Sequence, residues 1–150
     1  IALMVVLISG CAGRYVIPEG SNTIATFKMS DALKSTSNQF YYVYSEEKCE
    51  DKVGDGMVSN MNTMWGANEE DVPLRANNRI YIYAKNIINT SNRKLNCSNF
   101  VSFIPEENTN YMVQQKGAYP GCQLPILDIN SSKEPESLQV HKIPRSCRKL

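Results

Sequence analysis

Apolar and polar residues alternate with a period of two along most of this chain. In "TIATFKM" the residues Ala25, Phe27 and Met29 share one face, and "RIYIYA" alternates Ile80, Ile82 and Ala84 with Tyr81 and Tyr83. "FYYVY" is β-branched and aromatic throughout, and "FVSFI", "YMVQ" and "QLPILDI" continue the series. Each run is short and bounded by Asn, Ser, Gly or Pro, the residues that end strands and make turns. In an extended strand this period sends alternate side chains to opposite faces. About seven such strands predict an all-β fold, an antiparallel β-sandwich over residues 22–130 with one or two short helical turns.

The turn chemistry predicts two hairpins. One runs from Val72 and Leu74 through Asn77-Asn78 and back along Ile80 and Ile82, because Asn tolerates left-handed dihedrals. The other is "FIPEENTNYMV". The exception to the period is "DGMVSNMNTMW". There Met57, Val58, Met61, Met64 and Trp65 recur at helical spacing, with Asp55 as a candidate N-cap. A second helical turn is expected at residues 31–35.

A different pattern stands at the start. Residues 1–8, "IALMVVLI", carry no polar side chain. The run is too short to span a bilayer, which takes about 20 apolar residues. It suits the apolar core of a secretory signal, and a Met and a positively charged n-region are expected upstream of Ile1. The run ends in Ile8-Ser9-Gly10-Cys11, an aliphatic residue, two small residues and a Cys. This resembles the lipobox of bacterial lipoprotein precursors. The resemblance implies that residues 1–10 are a lipoprotein signal segment, cut after Gly10. It also implies that Cys11 is lipidated, with a diacylglyceryl group on its thiol and a third chain, such as palmitate, on its new amine. Two or more chains anchor a protein stably where one does so marginally. Ala12 rather than Asp follows Cys11, which by the same resemblance implies the outer membrane, with the domain facing the periplasm. Residues 11–21 would form a lipidated linker.

The chain has 5 Cys. With Cys11 acylated, Cys49, Cys97, Cys122 and Cys147 remain, an even number suited to two disulfides in an oxidising space. Cys97 opens one strand and Cys122 another, with one strand between them. Both therefore sit at the same end of the sandwich, which favours Cys97–Cys122 and leaves Cys49–Cys147 to tie the tail back. No C-x-x-C occurs, so neither a redox motif nor a zinc ribbon is implied.

The order of these elements resembles small proteobacterial envelope lipoproteins with an immunoglobulin- or transthyretin-like sandwich. A Cys follows an early aromatic strand, then come "I-x-I-x-A", "CSNFVSFIPEENTNYMV" and Cys122. Tyr111, opening a strand after a turn, resembles a tyrosine-corner residue whose hydroxyl would meet backbone near Glu107 or Asn108.

Chemistry-bearing residues are sparse. The formal net charge of +1 implies no general polyanion surface and no nucleic-acid partner. The basic residues Lys142, Arg145, Arg148 and Lys149 cluster in residues 131–150, read as a polar linker and basic tail. His141, the 1 histidine, lies in that tail and reads as a solvated surface residue. Without a second histidine or a nucleophile motif, the chain reads as no enzyme, with no catalytic residue, cofactor or metal site. Glu50, Asp51 and Asp55 lack calcium-loop spacing and read as a solvated turn. Alternation puts Tyr81 and Tyr83 opposite Ile80 and Ile82, making them a candidate contact surface. The functional expectation is a lipid-anchored binding or assembly module, with the membrane and an envelope protein as partners. The alternative is a periplasmic copper-handling protein, since the thioethers of Met57, Met61 and Met64 suit Cu(I).

Overall fold

A computed structural model describes residues 13–31, 37–50, 52, 54–62, 68–117 and 120–150. The chain is all-β in this structure. Two sheets face each other, and the strands are β1 (Ile24–Lys28), β2 (Ser37–Tyr44), β3 (Gly56–Asn62), β4 (Glu69–Pro73), β5 (Ile80–Asn89), β6 (Lys94–Phe103), β7 (Asn110–Gln114), β8 (Ile126–Asp128) and β9 (Gln139–His141). The smaller sheet has the order β4-β1-β7-β8 and the larger β3-β2-β5-β6-β9. All pairings are antiparallel except β1 with β7.

Alternation explains the core. Ala25 and Phe27 of β1 and Val113 of β7 point inward, and they meet Tyr41, Val43, Ile80, Ile82, Val101 and Phe103 of the larger sheet. The rings of Phe27 and Tyr41 lie 5.1 Å apart across the sheets, and those of Phe103 and Tyr111 meet edge to face at 5.0 Å. Geometries of this kind add to the area that aromatic rings bury. The Tyr111 hydroxyl accepts a 2.9 Å bond from the backbone N–H of Glu106. That is a tyrosine-corner contact, one residue earlier than expected.

Both expected hairpins are instead crossovers between sheets. β4 pairs with β1 and β5 with β2, so the turn at Asn77 (φ 63°) carries the chain across the core. The turn at Asn108 (φ 57°) does the same between β6 and β7. The left-handed residues are where the sequence puts them, but a reversal does not dictate whether the returning strand bonds to its predecessor.

The expected helix at residues 55–65 is a second correction. Gly56–Asn62 is strand β3, paired antiparallel with β2. Tyr41 faces Ser59 while Tyr42 faces Met57, so Val58 is an extra residue, a β-bulge. The bulge breaks the two-residue period and makes Met57, Val58 and Met61 mimic helical spacing. Residues 32–35 of the other expected turn, like Cys11, Asp51, Met64 and Trp65, lie outside the described residues.

The fold also does not stop at residue 130. β9 adds to the edge of β6, and a single 3-10 turn at Cys147–Lys149 packs behind it. At the other end Arg14 bridges to Met57 in parallel, extending the larger sheet past β3.

Candidate functional site

Three constellations carry polar or reactive groups: a strapped aromatic face, a buried latch, and an uncovered sheet face.

The outer face of the larger sheet carries Tyr42, Tyr44, Tyr81, Tyr83 and Phe100, as alternation requires of residues neighbouring Val43, Ile80, Ile82 and Val101. It is not open to solvent. The tail folds over it, and Ile143, Cys147 and Leu150 pack on those rings. Tyr83 is 2% exposed, and Tyr81 is half-buried, stacked on Phe100 at 5.8 Å. The expected contact surface at Tyr81 and Tyr83 is therefore corrected: the face is right, but the C-terminal strap covers it. Burial raises the Tyr83 hydroxyl above its ordinary value of 10.0, against the opposing effect of its bond to Ser98.

A disulfide between Cys49 and Cys147 fastens the strap, and a second joins Cys97 to Cys122. These are the pairs the strand layout favours. The Lys85 ammonium adds a 3.0 Å bond to the Leu150 carbonyl.

His141 is the last residue of β9, and its side chain is largely buried rather than solvated. Its ring sits between Tyr81 and Phe100, with centroids at 5.5 and 5.8 Å. Nε2 is hydrogen-bonded to Ser102 Oγ at 2.7 Å, and Nδ1 is 3.3 Å from a Glu47 carboxylate oxygen. The order serine, histidine, carboxylate is that of a hydrolase triad. Its setting differs in two ways. Ser102 is 0% exposed, and Arg79 Nη1 donates to the same Oγ at 2.8 Å while also holding the Ser137 carbonyl. The buried hydroxyl, engaged by both the guanidinium and the imidazole, ties β6 to β9. The sequence reading missed it because Ser102 and His141 meet only through the β6–β9 pairing.

The buried latch was also missed. Asp55 is neither an N-cap nor part of a solvated turn. Its buried carboxylate accepts bonds from the Ser45 backbone N–H (2.9 Å), the Ser45 hydroxyl (2.6 Å) and Arg75 Nη2 (2.8 Å). Arg75 also donates to the Gly54 carbonyl at 2.7 Å, and its guanidinium lies 5.2 Å from the centre of the Tyr15 ring. Burial opposes the Arg75 charge, but Asp55 and Tyr15 outweigh it and hold the pKa above its ordinary range. Tyr15 plugs the core between the sheets and donates to the Pro73 carbonyl at 3.0 Å. Residues 13–17, expected as linker, are thus a docked arm. Its approach needs Gly56 (φ 137°), where a Cβ would fall 1.8 Å from the Gly13 carbonyl oxygen. A cavity of about 430 Å³ opens beside the latch, among Ser21, Thr23, Arg75, Asn78 and Glu107.

The outer face of the smaller sheet has no such cover among the described residues. A groove of about 360 Å³ runs over Thr26, Lys28, Asp71, Met112 and Leu127. It mixes thioether and aliphatic carbon with both signs of charge.

The copper ligand set does not assemble. The bulge sends Met57 outward beside Tyr42 and Met61 into the core beside Gln39. Two of the three thioethers therefore face opposite sides of the sheet, and Met64 is outside the described residues. Among the described residues no group of three His, Cys, Asp or Glu side chains is placed to hold a metal ion. No described helix is long and apolar enough to cross a membrane. No family model, curated protein or solved structure matches the chain.

Proposed function

We propose that this chain is an outer-membrane lipoprotein, acylated at Cys11, whose immunoglobulin- or transthyretin-like β-sandwich faces the periplasm as a non-enzymatic binding or assembly module. The observation that carries this reading is Ile8-Ser9-Gly10-Cys11 standing directly ahead of a domain with two disulfides. Disulfides persist in oxidising compartments, and a lipobox gives a route to one. The complete burial of Ser102, with its hydroxyl engaged by both Arg79 and His141, supports a non-catalytic role.

The strap leaves the outer face of the smaller sheet as the broad sheet surface for a partner. Met112 and Leu127 supply apolar contact there, and Lys28, Glu69 and Asp71 supply charges that set orientation.

The test has two arms in a Gram-negative host. Mass spectrometry of the mature product reads acylation, and a photocrosslinking residue at Leu127 reads contact. The expected result is a triacylated N-terminal Cys11 in the outer-membrane fraction. It is joined by a discrete adduct from position 127 that a Cys11→Ser chain does not form. A soluble product with an unmodified Cys11 thiol ends the anchor reading. Full acylation without an adduct from Leu127, or from a second probe at Thr26, ends the binding-module reading.

A further inference from the structure

Exposed apolar side chains are unevenly distributed over the molecule. Among the described residues, three of the six large exposed ones belong to a single edge: Val16 (59% exposed), Ile17 (61%) and Met57 (36%). This is the β3 edge of the larger sheet, where the arm is docked. Backbone bonds run from Met57 N–H to the Gly13 carbonyl, from Tyr15 N–H to the Met57 carbonyl and from Val16 N–H to the Gly54 carbonyl, each at 3.3 Å. Arg14 faces Met57 across this bridge and is exposed.

Cys11 stands two residues before Gly13. Consecutive Cα atoms are about 3.8 Å apart, so the Cys11 Cα lies within about 8 Å of the Gly13 Cα in any conformation. That is short against the roughly 40–45 Å thickness of a bilayer with its headgroups. Acyl chains on Cys11 therefore enter the membrane beside this edge, with almost no slack. A domain held so closely brings its nearest surface into the headgroup layer. That surface carries three apolar side chains and a guanidinium, the pairing that suits an interface of acyl carbon and phosphate.

We infer that the β3 edge, with Val16, Ile17, Met57 and Arg14, is a membrane-seated surface that fixes the orientation of the domain on a phospholipid bilayer. The inference rests on acylation at Cys11 and goes beyond it, because an anchor on a flexible linker would leave orientation free. The larger sheet then stands off the bilayer. β9 lies four strand spacings from β3, about 19 Å at 4.8 Å each, so the strapped end and the exposed Val140 remain in water.

Methionine oxidation tests this in the natural chain, because a thioether in the acyl boundary is shielded from aqueous oxidant. The acylated protein is placed in vesicles of phosphatidylethanolamine and phosphatidylglycerol and treated with hydrogen peroxide. A Cys11→Ser chain made without residues 1–10, free in solution beside the same vesicles, is the comparator. Met57 is expected to oxidise more slowly by roughly threefold or more in the anchored protein, while Met112 on the smaller sheet keeps its rate. Equal Met57 rates in the two chains, with acylation verified in the same mass spectrum, would overturn the orientation and leave the anchor standing. Equal protection of Met57 and Met112 would overturn it too, by seating a different face. A Cys11 without acyl groups removes the anchor itself and is seen directly in the mass. An environment-sensitive dye at Ile17→Cys or at Val140→Cys gives a second reading, with a blue shift expected at position 17 only.

Discussion

The first and last described segments of this chain, the arm at residues 13–17 and the tail at residues 137–150, are both fastened to the larger sheet, by opposite means. The tail is held covalently and redundantly. Cys147 is bonded to Cys49, β9 pairs with β6, Arg79 grips the Ser137 carbonyl, Ser102 meets His141, and Lys85 caps Leu150. The arm is held by non-covalent contacts: Tyr15 is buried and bonded to the Pro73 carbonyl, backbone bonds join it to Met57 and Gly54, and a latch centred on one carboxylate closes beside it. Asp55 holds Arg75, Arg75 covers the Tyr15 ring and binds Gly54, and Gly54 bonds Val16. A covalent tie acts mainly on the unfolded chain, whereas a latch acts on the folded one. Global stability and local docking therefore separate at the two ends.

The largest effect is expected at the tail's disulfide. Its cysteines are 98 residues apart, and closing a loop of about 100 residues is worth about 4.7 kcal/mol in the chain-entropy model. Changing both Cys49 and Cys147 to Ser should lower the urea midpoint by a corresponding amount. The strap should stay docked, because its other bonds remain. Hydrogen exchange along the β6–β9 ladder distinguishes the two. Ladder amides that open well below the global unfolding energy would mean that sulfur alone held the tail.

Asp55→Ala should reverse that pattern. It leaves the Ser45 N–H without its acceptor and the Arg75 guanidinium with only the Gly54 carbonyl, and breaking a buried pair costs about 3 kcal/mol or more. The low end applies here, because Arg75 keeps some solvent contact. The local effect should be larger than the global one. The amides of Tyr15 and Val16 should exchange as if free, while the β6–β9 ladder keeps its protection relative to global unfolding. An arm that stays protected in Asp55→Ala would show that Tyr15 burial, its bond to Pro73 and the backbone bonds to Met57 dock it without the latch, and the contrast between the ends would collapse.

These two ends also mark what the sequence makes legible. Strands were readable wherever alternation ran unbroken, as in β1, β5 and β7, because a half-buried strand must alternate. β3 was not, because its bulge shifts the register by one residue at Val58. The disulfide partners are the expected ones, although Cys97 lies inside β6 and Cys122 precedes β8 by four residues, so neither opens a strand. What covers a face was not readable. Tyr81 and Tyr83 point outward as their period requires, and only the return of residues 139–150, some 60 positions later in the chain, buries them. Asp55 looked like one acid among several in a loop. Its burial depends on Ser45, Arg75 and Tyr15 arriving from three other segments, and no local pattern encodes that. Ser102 and His141 likewise acquire their contact only from a pairing 39 residues apart.

The smallest effect sharpens the comparison at its weakest contact. Glu47 stands 3.3 Å from His141 Nδ1, but its side chain is 64% exposed. Exposed pairs contribute about 0–1 kcal/mol, since water and salt screen them and two side chains lose rotamer freedom. Glu47→Gln should therefore shift the urea midpoint by no more than about 0.5 kcal/mol in stability terms. It should leave the β6–β9 ladder protected, because Ser102 and the flanking rings still hold the imidazole from the other side. Raising the salt concentration should make the variant and the natural chain converge further. A loss several times larger, or release of β9 without loss of the disulfide, would mean that the carboxylate organises the strap as Asp55 organises the arm. The tail would then turn on one carboxylate although a disulfide holds it, and the covalent tie could no longer distinguish the two segments.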